Sequence, residues 1–113
     1  MIEHPAVLKT MEHLEAQGFE VCYIKPEQDG SIDENKVIDS VNDKTCLVSI
    51  MHVNNETGAI IDIEKIASAV KKKAPRALVH TDGVQSFGHI ETKPYKMGVD
   101  MMSISSHKIH GPK

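Results

Sequence analysis

Short apolar runs alternate with amphipathic helical stretches along this 113-residue chain, and that alternation restricts the fold more than any single motif. Residues 5–16 read as a helix. Pro5 suits a first turn, Val7, Leu8, Met11 and Leu14 fall on one face, and Gly18 is a good stop. Residues 19–24, aromatic and branched, are expected to form a strand. Residues 26–30 are a turn cluster, after which Asp33 caps a short helix reaching about Asn42. Residues 45–53 are nearly continuously apolar, as in a strand buried on both faces. Asp62 caps a helix that carries Ile63, Ile66, Ala67 and Val70 on one face, and Pro75 stops it. Residues 77–81 and 101–105 are the remaining strands. Strands separated by helices mean βαβ units, a parallel sheet and the α/β class. With no internal repeat, low-complexity tract or linker, the chain is one domain or one piece of a larger one.

The composition is that of a soluble globular protein: 40% hydrophobic, 26% charged, formal net charge −3. A weakly negative chain gives no support for a nucleic-acid partner. The one short basic run, Lys71-Lys72-Lys73, ends a predicted helix, where it complements the helix dipole. No apolar stretch approaches the about 20 residues a membrane helix needs, and residues 1–5 do not begin a signal peptide. Cytoplasmic localisation is the expectation. Cys22 and Cys46 make no disulfide framework. Each falls in an apolar run, and both are expected as buried, reduced thiols.

In parallel sheets, ligands bind beyond the carboxyl ends of the strands. The polar residues of this chain cluster there. Asn54 and Asn55 follow the 45–53 run, Asp82 and Gln85 follow 77–81, and Ser106, His107 and Lys108 follow the last strand. A lysine at a strand end, beside hydroxyls and an imidazole, suits a Schiff-base lysine next to a phosphate site. Pyridoxal phosphate would need such an amine, supplied by Lys108, and a carboxylate against its ring nitrogen, for which Asp82 is the candidate. Gln85 could donate to the ring hydroxyl, Ser105 and His107 could hold the phosphate, and Asn55 could meet the ring edge or the substrate carboxylate.

Singly, each residue has a plainer reading. Lysines are mostly solvated, and Asp82-Gly83 and Asn54-Asn55 are turn chemistry. His52 reads as a strand histidine without catalytic duty. Joint placement at one sheet edge carries the site. Metal binding by His80-Thr-Asp82 or His107-Lys-Ile-His110 is the rival. Strand alternation weighs against the first set, and Gly111-Pro112 against the helix that would align the second.

Four stretches carry a resemblance: Glu3-His-Pro-Ala-Val-Leu8, Met51-His-Val-Asn-Asn-Glu-Thr-Gly58, His80-Thr-Asp-Gly-Val-Gln-Ser86 and Ser103-Ile-Ser-Ser-His-Lys-Ile-His-Gly-Pro-Lys113. In this order and spacing they resemble the pyridoxal-phosphate site of the cysteine desulfurases, the NifS-like branch of the class V aminotransferases. The resemblance implies the central parallel-sheet portion of the large domain of a fold-type I transferase. It implies that Lys108 is the Schiff-base lysine and proton shuttle, that Asp82 partners the pyridine nitrogen, and that Gln85 sits at the ring hydroxyl. By the same likeness Asn55 contacts the cofactor, Ser105 and His107 bind its phosphate, and His4 stacks on its ring and assists proton transfer. The implied reaction converts L-cysteine to L-alanine and leaves a persulfide on an enzyme cysteine, for iron–sulfur cluster assembly or thiolation. A homodimer and a sulfur-acceptor or scaffold protein are the implied partners.

The resemblance also implies an internal segment of a chain roughly three times longer. The persulfide-forming cysteine, a Gly-Thr phosphate loop, a substrate-binding arginine and a smaller C-terminal domain would lie outside these residues. Neither Cys22 nor Cys46 matches the catalytic cysteine. Position 83 is glycine where alanine is common in the family, with no evident chemical consequence. Within the same chemistry, selenocysteine lyase or another class V enzyme is the alternative. A non-catalytic truncated module is the alternative outside it.

Overall fold

The structure is a computed structural model that describes residues 5–53, 58–83 and 94–104. The elements run, in chain order, α1 (Pro5–Ala16), α2 (Glu34–Ser40), β1 (Leu47–Met51), α3 (Ile63–Lys73), β2 (Leu78–Asp82), α4 (Pro94–Met97) and β3 (Met101–Ser103). The strands form a parallel sheet in the order β1-β2-β3, as the βαβ pattern predicts.

Local chemistry sets most boundaries. The Phe19 amide donates to the Leu14 carbonyl at 3.2 Å and the Gly18 amide to Glu15 at 3.0 Å. Gly18 sits at φ 102°, the left-handed turn that closes a helix this way. Asp33 accepts from the Asn35 amide at 2.9 Å, and Asp62 from the Lys65 amide at 3.1 Å. Each cap satisfies a donor that the first helical turn leaves open. The three lysines close α3. Lys73 donates to the Ile38 carbonyl at 2.8 Å, and Lys71 to the Ala77 carbonyl at 2.7 Å.

The core lies on one side of the sheet. Ile63, Ile66, Ala67 and Val70 of α3 pack with Val37 and Val41 against Ile50 and Val79. Thr81, fully buried, donates from its hydroxyl to the Ile50 carbonyl at 2.7 Å, so burial leaves that hydroxyl satisfied. Met97 of α4 packs against the same cluster. Alternation along the strands places Leu47, Ser49, Met51, Leu78, His80, Asp82, Met101 and Ser103 on the opposite face. That face is open at its amino end, where Leu78 and Met101 are exposed; at its carboxyl end Met51 and Asp82 are buried while Ser103 of β3 is exposed. The 45–53 run is therefore buried on both faces only at the end of β1.

Two expectations fail together. Residues 19–24 are not a strand, and both cysteines are exposed. The 19–24 segment instead lines an apolar groove of about 420 Å³ with Val7, Leu8, Met11 and Leu14 of α1. Aromatic and branched residues satisfy such a groove as well as a sheet, and only a ladder partner would make a strand. Cys22 lies in this segment and is exposed. Cys46 precedes β1, at the level where the Leu78 amide donates to its carbonyl. The α4 turn was not foreseen; Pro94 opens it, as proline does at a first helical position. No helix among the described residues is long and apolar enough to cross a membrane.

Candidate active site

The register brings the three strand ends level. Asp82 pairs with Met51 of β1 on one side and Ser103 of β3 on the other. Beyond β1, the His52 amide donates to the Asp82 carbonyl at 3.2 Å, and the Gly83 amide donates to the Ser103 carbonyl at 2.8 Å. The backbone at Asp82 is thus held from both neighbouring strands. Its carboxylate lies at the carboxyl edge, 7% exposed. A buried carboxylate needs compensating polar or cationic company.

His80 lies two residues before Asp82 on the same face. Its Nδ1 is 2.8 Å from Ser49 Oγ, and its Nε2 is 2.8 Å from Ser103 Oγ. One imidazole therefore bridges β1, β2 and β3. Burial holds its pKa below the usual histidine value, and the Asp82 charge opposes that shift in part. His52, buried just past β1, is also pushed down by desolvation. Strand alternation does not separate His80 from Asp82, contrary to the expectation used against metal binding. What occupies the two ring nitrogens of His80 is a pair of serine hydroxyls.

β3 is fixed by Asp100. Its backbone amide donates to the Val79 carbonyl at 2.8 Å. Its Oδ2 accepts from the Val79 amide at 2.8 Å and from Lys71 Nζ at 2.6 Å. At the other side of the edge, Val53 and Ile60 form an antiparallel bridge, and Gly58 takes φ 74°. Val53 and Ile60, on either side of residues 54–57 in sequence, are thereby held together beside β1. Gly83 has a structural consequence after all. A Cβ there would lie 2.9 Å from Met102 Sδ and 3.3 Å from the Ser103 carbonyl oxygen.

Of the residues expected to form the site, Asp82 is described and stands where expected. His4, Asn55, Gln85, Ser105, His107 and Lys108 lie outside the described residues. Ser49 and Ser103 escaped the sequence reading. Their alternation with apolar neighbours was visible, but the register that sets both against His80 was not.

A parallel sheet with a buried carboxylate at its carboxyl edge agrees with the family comparison. The class-V aminotransferase model matches residues 1–113, and the chain belongs to that family. It is similar to the cysteine desulfurase IscS of Colwellia psychrerythraea, 50% identical over 111 residues, covering 98% of this chain and 27% of that relative. IscS of Haemophilus ducreyi is 45% identical over 111 residues, with the same coverage. Among solved structures, a NifS-like protein superposes with a TM-score of 0.93 at 45% identity, over 99% of this chain and 31% of the other. The structure titled SspA in complex with cysteine gives 0.91 at 39% identity, over 99% and 32%. The chain thus spans about a quarter to a third of the length of these proteins.

Proposed function

We propose that the chain forms the cofactor-gripping part of a pyridoxal-phosphate-dependent cysteine desulfurase, as a segment of its large domain. The observation that carries this is the buried Asp82 carboxylate at the carboxyl end of β2, level with the ends of β1 and β3. Asn55 follows one of those strands within four residues of its end, and Ser105, His107 and Lys108 follow the other within five. The names of the relatives, cysteine desulfurase IscS, favour cysteine over its selenium analogue.

The donor set fits the cofactor. Asp82 is an acceptor in a poorly hydrated position, suited to a protonated ring nitrogen. Gln85 would meet the ring hydroxyl and Asn55 the ring edge. Ser105 and His107 would take the phosphate, and His4 would stack on the ring. The bound cofactor would supply an electron sink for charge developing at the substrate Cα. Lys108 would anchor the cofactor covalently and, once released by substrate, move the proton at Cα. A cysteine thiolate elsewhere in the enzyme would attack the substrate sulfur. An S–S bond would form as the C–S bond breaks, its electron pair would stay with Cβ, and uptake of a proton there would release the carbon skeleton as L-alanine while the sulfur stays as a persulfide. Cys22 and Cys46 are not assigned that role. The persulfide sulfur would pass to an acceptor protein for iron–sulfur assembly or thiolation, in a cytoplasmic homodimer.

The test uses the full-length protein with pyridoxal phosphate. Lys108→Ala is expected to lose the visible absorption of the lysine-bound cofactor and the release of alanine from L-cysteine. Unchanged absorption in that variant would remove Lys108 from its role.

A further inference from the structure

The imidazole of His80 touches a hydroxyl on each neighbouring strand and stands beside the one described carboxylate of the site. Neither serine can carry charge at ordinary pH, and each can donate or accept. A neutral imidazole, with one donor and one acceptor nitrogen, is therefore satisfied in either tautomer. The remaining side chains on that face of the three strands, Leu47, Met51, Leu78 and Met101, are apolar. Among the described residues, Asp82 is the charged group acting on His80.

We propose that His80 is a positioning residue for Asp82, an uncharged crosspiece that fixes the three strand ends through Ser49 and Ser103 without adding positive charge beside the carboxylate. This rests on the reading that Asp82 meets the protonated ring nitrogen of pyridoxal phosphate. Two consequences follow from the geometry. Cutting the crosspiece loosens the strand ends, so cofactor affinity falls. Protonating it places a cation next to Asp82, which competes with the cationic ring. Half-burial already holds His80 below the usual histidine value of 6.5. The competition therefore sets in only on the acid side of that value.

The experiment measures pyridoxal-phosphate affinity against pH in the full-length protein, by the quenching of protein fluorescence or by absorbance, with kcat and KM recorded in parallel. His80→Leu is expected to weaken affinity about tenfold at alkaline pH, the equivalent of about 1.4 kcal/mol. His80→Asn keeps one donor and one acceptor but cannot ionise. It is expected to recover most of the affinity and to lack the acid limb that wild type shows. Groups other than His80 titrate identically in both proteins, so their contributions cancel in the comparison. Ser49→Ala and Ser103→Ala retain the imidazole and read the crosspiece directly; each is expected to weaken affinity about threefold. They serve the same purpose if His80→Leu does not fold. Equal affinity and an equal acid limb in wild type and His80→Asn, with no effect of either serine variant, would overturn the proposal. Asp82→Asn separates the two ideas. If it binds the cofactor as tightly as wild type, the role of Asp82 fails first. If it binds weakly while the His80 and serine variants match wild type, only the role of His80 fails.

Discussion

At the scale of single residues, the most consequential small group is Gly83. Its backbone conformation does not demand glycine, since φ lies outside the left-handed range. The demand comes from Met102, whose sulfur would lie 2.9 Å from an added Cβ, and from the Ser103 carbonyl behind it. A methionine can swing aside, whereas a strand carbonyl cannot do so cheaply. Gly83→Ala is therefore expected to cost about 1 kcal/mol. Met102→Ala, destabilising by itself, should relieve the part of this cost that the methionine sets and leave the part set by the Ser103 carbonyl. A double-mutant cycle on urea midpoints measures this as a coupling of about 0.5–1 kcal/mol. Additive effects would show that the methionine does not set the cost.

At the scale of elements, the sheet is joined by ionisable groups with two different acid windows. His52 and His80 are held below the ordinary histidine value by burial. As pH falls through 6.5 the unfolded chain takes up their protons first, so the stability they contribute at neutral pH is lost from there downward. Asp100 is held below the ordinary carboxylate value, first by Lys71 and then by the Val79 amide. Its contribution is fully present above 3.8, is lost progressively as the unfolded chain takes up the proton below that value, and is gone once the folded-state carboxyl has protonated as well. Unfolding measured from pH 8 to 3 should therefore fall in two stages. His52→Gln should flatten the first, and Asp100→Asn should lower the plateau and flatten the second. Because the Lys71–Asp100 pair is about one-third exposed, salt should weaken the second stage more than the first. Identical pH profiles in wild type and both variants would refute this assignment.

At the scale of the whole molecule, one sheet face presents exposed Leu78 and Met101, with Ile104 exposed just past β3. Such a surface on a chain this short favours association. The 113-residue chain alone is expected to self-associate, as sedimentation velocity would reveal. A monomer with a sharp two-state melt would contradict it. How far the fold was legible follows the same scale. The helices were readable because Asp33, Asp62 and Gly18 are local signals that tertiary structure left in force. The parallel sheet was readable from the alternation of elements. Residues 19–24 were misread because composition alone cannot distinguish an apolar groove from a sheet. At the sheet edge, the position of Asp82 was legible from its strand end, whereas the placing of Ser49 and Ser103 against His80 was not, since register is a relation between distant segments.

The Asp100 contacts matter beyond stability. A strand advances about 3.3 Å per residue and reverses its faces at each step. Asp100 is bound to Val79 through both backbone and side chain, and the far end of β3 is bound through Ser103 to Gly83. Together these contacts work as an index pin for everything that follows. A slip of one residue would turn Ser103 away from His80 and move the end of β3 a full step along the sheet. Insertions and deletions between Asp100 and Ser103 should therefore be far less tolerated than substitutions at the same positions, because they would break this register.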